Sequence, residues 1–496
     1  MFIMKLISHI RNHTLTAVTL LAVALATTSG CRKFIEVDPP VTSVTNGSVY
    51  LNDNTAIAVL TELYTNFMLR TVNTSSIDDG VSGVSWVTDL TADNLTLEFQ
   101  ASQKLLSYYT NNLESTGNIV AGTVFWSRLY EYIYKANAAM EGISGSTTLT
   151  PAVKTQLLGE CRFLRAFCYF YLVNLYGDAA LVLTTDYATN ALLPRTPAAE
   201  IYKQIVTDLT EAKALLKEQY VGLDMQTTST DRIRVNKAAA RALLARVYLY
   251  TGEYAKAEAE ASAVISNSLY GLVTDNPGTV FLKNSKETIW AMQPTISTTQ
   301  NTWQSFIFPL TKAPSASNPV SLSANLMATF DTTRDKRYKN WIGNFTTGGK
   351  TYYYAYKYKA GAVTSSITEY EMVLRLAEQY LIRAEARTQQ GNITGIASAT
   401  TDLNTIRSRA GLADTTVTGK DEMVNAILLE RRKEFFTEWG HRWFDLKRLG
   451  KIDAVMQAYA PLKGGTWQSY KALFPLAQTE IALNPGMTGQ QNTGYN

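Results

Sequence analysis

Residues 426–450 read AILLERRKEFFTEWGHRWFDLKRLG, and this span decides the fold. It holds four acids, six Lys or Arg residues and five aromatics, too dense a mixture for a simple surface helix. Leu428, Phe435, Phe436, Trp439, Trp443 and Leu446 recur at helical spacing, so one stripe is buried. Glu430, Glu434 and Glu438 form a second stripe, four residues apart. Like charges at that spacing repel in an isolated helix, so cations must answer them. Arg442 lies four residues beyond Glu438, Arg431 and Arg432 lie beside the stripe, and Arg375, Arg383 and Arg387 are available upstream. Gly440 divides the span into a helix and a following short helix. A carboxylate pair could serve glycoside hydrolysis, which needs two such groups flanking the bond. Carboxylates four apart among arginines read more simply as an ion-paired framework.

Working outward, helical periodicity dominates to about residue 270. Asn54–Leu69, Thr123–Gly142, Thr155–Tyr176 and Ala198–Gln219 each carry an apolar face, and Pro197 opens the last of them. Asn236–Tyr250 and Glu253–Asn267 form a helix pair around Thr251-Gly252. Ala245, Tyr248 and Ala257 match the small-large-small spacing of a tetratricopeptide repeat, where the two helices meet closely. A second copy spans Leu374–Ala410, with Ala384 and Gly391 repeating the step from Ala245 to Gly252. The predicted fold is mostly α, a tetratricopeptide-like scaffold with a loop-rich, minor-β insertion at about 271–368. There Trp341–Tyr358 reads as a hairpin turning at Gly348-Gly349. Tyr352, Tyr354, Tyr356 and Tyr358 share one face of it, read as covering the core rather than stacking on sugar.

The N-terminus carries Lys5 and Arg11, an apolar stretch from Leu15 to Ala26, then Thr27-Thr28-Ser29-Gly30-Cys31. This is a secretory signal with a lipobox-like end, although Thr28 stands where leucine is usual. Residues 1–30 are therefore a signal peptide, 31–50 a tether and 51–496 a single domain, with Cys31 lipidated. Residues 1–30 carry two cations and no acid, so their removal lowers the net charge from +4 to +2. With no basic stripe, nothing argues for nucleic acid. Cys161 and Cys168 sit two helical turns apart, about 10 Å, beyond disulfide reach. His441 is the only histidine after residue 30, which excludes a His-rich metal site. No phosphate-cradling or calcium-loop spacing occurs, so no cofactor or metal is expected.

The run ERRKEFFTEWGHRWFDLKRLG, residues 430–450, resembles a signature of the SusD/RagB family of outer-membrane nutrient-binding lipoproteins. Its elements here are Glu430, Arg431, Arg432, Glu434, Glu438, Gly440, His441, Arg442, Trp443, Asp445 and Arg448. The tail LFPLAQTEIALNPGMTGQQNTGY, Leu473–Tyr495, resembles that family's closing segment. The resemblance implies capture of an oligomeric nutrient, a glycan first and a peptide as the alternative, without covalent chemistry. It also implies a SusC-like TonB-dependent transporter as partner and a lipid-anchored place at the outer membrane, facing the cell surface. Arg32 and Lys33 stand where acidic export residues are common, which leaves the periplasmic face open. A secreted hydrolase and a helical-repeat scaffold for protein partners are the other classes. Loops carry function on such a scaffold, so Trp86 and Trp303 are the expected aromatic ligand contacts. Asp79, Asp93 and Asn94 are their expected polar partners.

Overall fold

Apolar residues on one helical face after another set the architecture. The computed structural model describes residues 49–68, 80–100, 102–116, 124–294, 301–361 and 367–495. The longer helices are α1 (Asp53–Met68), α2 (Val84–Thr91), α3 (Val124–Gly145), α4 (Pro151–Tyr176), α5 (Ala198–Leu215) and α6 (Lys237–Tyr250). They continue as α7 (Tyr254–Ile265), α8 (Leu376–Gln389), α9 (Ala399–Arg409), α10 (Lys420–Phe435) and α11 (His441–Arg448). From α3 to α10 each helix packs on the next in chain order, so consecutive pairs cover one another's apolar faces. Cys161 and Cys168 are buried and unpaired in α4. Residues from Tyr50 onward form one compact unit.

The two tetratricopeptide-like turns share one geometry. Glu253 N–H donates to Tyr248 O, and Asn392 N–H to Arg387 O, each at 2.8 Å. Gly252 and Gly391 precede them with φ of 76° and 83°, the left-handed turn that ends a helix. After Gly252 the next helix starts at Tyr254, whereas after Gly391 it starts at Ala399. Ala245, Ala257, Ala384 and Ala399 are all fully buried where the paired helices meet.

Two-armed Arg–carboxylate pairs repeat along the array. Arg165 of α4 binds Asp208 of α5 at 2.8 and 2.6 Å, and Arg246 of α6 binds Glu378 of α8 at 2.6 Å on both arms. Arg383 binds Asp402 at 2.9 and 2.7 Å, tying α8 to α9.

β structure among the described residues is four two-stranded antiparallel sheets. β1 (Leu95–Leu97) pairs with β5 (Val320–Leu322), β2 (Ala179–Ala180) with β3 (Arg195–Thr196), and β4 (Thr288–Met292) with β8 (Glu371–Arg375). The hairpin β6 (Ile342–Thr347) and β7 (Lys350–Ala355) turns at Gly348-Gly349 as expected. Its tyrosines divide: Tyr358 is buried beyond the strand, whereas Tyr352, Tyr354 and Tyr356 are half-buried. The face therefore covers the core only in part.

Candidate functional site

The carboxylate stripe of α10 lies inside the molecule. Glu434 is fully buried and receives Arg375 at 2.6 Å, Arg337 at 3.0 Å and Arg409. Glu438 receives Arg375 at 2.8 Å and Lys357 at 2.5 Å, while Glu430 meets Arg337 at 2.6 Å and Arg407 at 3.2 Å. Burial pushes the Glu434 carboxyl up, but the three guanidinium groups outweigh it and hold it well below the usual carboxylate range. All three acids are buried and each is engaged by two or more cations. They are an ion-paired frame.

Of the cations expected to answer the stripe, Arg375 does so and the others bind elsewhere. Arg442 does not answer Glu438; it grips Asp93 at 2.8 Å on both arms. Arg431 binds Asp445 at 2.7 Å, and Arg432 donates to Asn94 Oδ1 at 2.9 Å. Arg387 binds Glu258 and, with Arg383, Asp402. The physical reason is the break between α10 and α11. Thr437 and Trp439 adopt φ of 58° and 43°, and Gly440 adopts 77°, so helical phase does not carry across. A Cβ on Gly440 would also meet the Phe444 ring at 2.6 Å. Distant groups hold the break open. Lys357 Nζ donates to the carbonyls of Glu434 and Phe436 at 2.8 Å, Thr437 N–H donates to Asp89, and Trp439 N–H donates to Ser85 at 3.1 Å. His441 is buried with Nδ1 3.2 Å from Arg431 Nη2, and burial keeps it neutral, well below its ordinary range.

A cavity of about 410 Å³ opens elsewhere, between the last turns of α1 and the end of β4. Thr61, Tyr64, Thr65, Leu223, Ile233, Arg234, Met292, Gln293 and Pro294 line it. The Tyr64 ring is fixed by Trp290, edge-on at 6.3 Å, and by the Arg234 guanidinium 5.3 Å from its centroid. Arg234 is itself tied to Glu160 at 2.6 Å and to Thr61 Oγ1 at 2.5 Å. An aromatic ring, two threonines, an ion-paired arginine and the Gln293 carboxamide set among apolar residues suit a small, hydroxyl-bearing ligand. Among the described residues no group of His, Cys, Asp and Glu is placed to hold a metal ion.

Two family models match the chain: "SusD family" over residues 331–495 and "Starch-binding associating with outer membrane" over residues 50–249. The chain belongs to the SusD/RagB family. It is 26% identical over 420 residues to a SusD-like protein, P38, of Formosa agariphila, covering 75% of this chain and 79% of that one. It is 27% identical over 433 residues to the starch-binding protein SusD of Bacteroides thetaiotaomicron, covering 70% and 74%. A solved laminarin-binding SusD-like protein shares the fold, with a TM-score of 0.71 at 21% identity over 90% of this chain and 100% of that one.

Within this SusD-like frame the sequence-predicted contacts separate. Trp86 is fully buried inside α2 and packed in the main core, not on a loop, so it cannot meet a ligand. Asp93 and Asn94 are buried under Arg442, Arg432 and Asn325, which corrects their reading as ligand partners. Trp303 is half-buried, opens a short helix and packs against Phe306 with the ring centroids 5.3 Å apart and the planes tilted by 41°; it does not line the cavity. Asp79 and Cys31 lie outside the described residues. Sequence reasoning missed the cavity because its wall comes from separated segments. The one available hint was Tyr64 beside Thr61 and Thr65 at the edge of the apolar face of α1.

Proposed function

We propose that this chain binds a glycan in the cavity beside Tyr64 and passes it to a SusC-like TonB-dependent transporter at the outer membrane. The observation that carries the reading is the separation of roles: every signature carboxylate is locked in buried ion pairs, while an open aromatic-walled cavity lies apart from them. Binding followed by release needs such a cavity and no reacting group. Relatives described as starch-binding and laminarin-binding support a glycan as the ligand class. The description "associating with outer membrane" supports the location, and lipidation of Cys31 would supply the anchor. Trp303, half-buried and outside the cavity lining, is a second aromatic candidate for ligand contact.

The test is calorimetric titration of the mature protein with starch and laminarin oligosaccharides, repeated with Thr65→Trp, which fills the cavity from the surface of α1. Saturable binding that the variant loses by roughly tenfold or more supports the reading. Binding that the variant leaves unchanged removes the cavity as the site. Delivery is tested separately, by co-purification of a TonB-dependent barrel with the tagged native protein from outer membranes.

A further inference from the structure

The charged group in the wall of the cavity is Arg234, and the structure has already spent it. Its Nη1 lies 2.6 Å from Glu160 Oε2, its Nη2 lies 2.5 Å from Thr61 Oγ1, and its flat face lies against Tyr64. Glu160 is fully buried, and its other oxygen accepts from Gln156 Nε2 at 3.0 Å. The Thr61 hydroxyl is also used on both sides, since it donates to Ile57 O at 2.9 Å.

We infer that the Glu160–Arg234 pair makes this cavity selective for uncharged glycans and against uronic or sulfated ones; the inference rests on the cavity being the ligand site. An anionic sugar could recruit Arg234 only by displacing Glu160. That would leave a carboxylate buried without its partner, which costs more than the new contact returns. An anionic sugar that left the pair intact would give up its hydration to a wall whose positive charge is already cancelled. A neutral sugar meets neither penalty. It can lie against Tyr64, donate to the Thr65 hydroxyl oxygen, whose own proton goes to Thr61 O at 2.9 Å, and use the exposed carboxamide of Gln293. Arg234 is thereby a positioning residue: it orients the Tyr64 ring and braces α1 against α4 without offering its charge.

The experiment titrates the mature protein with a laminarin oligosaccharide, a starch oligosaccharide and an oligogalacturonate of equal length. Either neutral probe should bind at least about tenfold more tightly than the acidic one, and its affinity should change less than about twofold as sodium chloride rises from about 0.05 M to about 0.5 M. Glu160→Gln, checked for folding by its thermal melt, should raise affinity for the oligogalacturonate by roughly tenfold and leave the neutral probes unchanged. If that variant does not fold, the salt and probe comparison on the unmodified protein decides alone. Oligogalacturonate binding as tight as that of the neutral probes, and lost in Thr65→Trp, overturns the charge selection while leaving the site in place. Titrations that Thr65→Trp does not alter overturn the site and this inference together.

Discussion

Asp93 and Arg442 meet in a two-armed ion pair, 2.8 Å on each arm, although 349 positions separate them in the chain. The pair staples the loop that follows α2 to the first turn of α11. Arg432 of α10 joins it at 3.0 Å, so one acid holds both halves of the broken signature. Lys463 completes the clamp, donating to the carbonyls of Leu90, Thr91 and Ala92 at the end of α2 at 2.9, 2.8 and 2.8 Å.

Asp93→Ala should therefore destabilise the protein by about 3–5 kcal/mol, because two buried arginines lose their counter-charge. Glu434→Ala should cost a similar amount for the same reason. Urea unfolding monitored by tryptophan fluorescence measures both. A change under about 1 kcal/mol in either variant, the size expected of an exposed pair, would contradict the buried frame.

Asp89 gives the fold a specific pH dependence. Burial pushes its carboxyl up to about 6 from 3.8, although Thr437 N–H and Asn94 donate to it. Between those values the folded protein holds a proton that the unfolded chain has released. This group's contribution to stability therefore falls as pH rises through that window, and the full penalty remains above it. Asp89→Asn removes the penalty. Its stability advantage over the unmodified protein should be about 1 kcal/mol larger at about pH 7.5 than at about pH 5. Comparing the two proteins at each pH cancels the opposite slope from buried His441, whose neutrality costs stability as pH falls below about 6.5. An equal difference at both values would show that Asp89 does not titrate in that range.

Cys31→Ser should release the protein from the outer-membrane fraction, since a diacyl anchor holds where a single chain is marginal. Fractionation followed by immunoblotting measures it, and retention of the serine variant would contradict lipidation at this residue.

The two tryptophans proposed from sequence should now behave differently. Trp86→Ala should destabilise by about 3–5 kcal/mol, the cost of emptying a filled core site. Trp303→Ala should leave stability within about 1 kcal/mol and weaken glycan binding by about 2 kcal/mol, roughly thirtyfold. Thermal melts and titrations on the same samples separate the two effects. Unchanged affinity in Trp303→Ala removes it from the site.

The signature's role as an ion-paired frame was legible because three acids four residues apart, set among arginines, have few other uses. The mostly helical scaffold was legible for a similar reason: Ala245, Tyr248, Gly252 and Ala257 repeat a spacing that only close helix pairs need. Apart from Arg375, the pairings themselves were not legible. Counting four residues from Glu438 to Arg442 assumes one continuous helix, and the turn at Thr437–Gly440 breaks that assumption. Its left-handed residues are stabilised by Asp89, Ser85 and Lys357, all remote in sequence. Trp86 follows an Asp- and Gly-bearing stretch and so reads as a loop residue, yet α2 begins at Val84, and Val84, Val87 and Leu90 bury the same helix. The cavity left almost no local trace. Arg234 looks like any cation before a helix until Glu160, far upstream, is seen beside it.

The Tyr64 cavity is proposed to bind glycan without cleaving it. The most direct measurement is titration of the unmodified protein and Tyr64→Ala with the tightest-binding glycan, with each sample analysed afterwards by chromatography for shortened products. Saturable binding that weakens by roughly thirtyfold in the variant, about 2 kcal/mol, with the glycan recovered at full length from both proteins, is the predicted result. Equal affinity in the two proteins, or shortened oligosaccharides from the unmodified one, would contradict it.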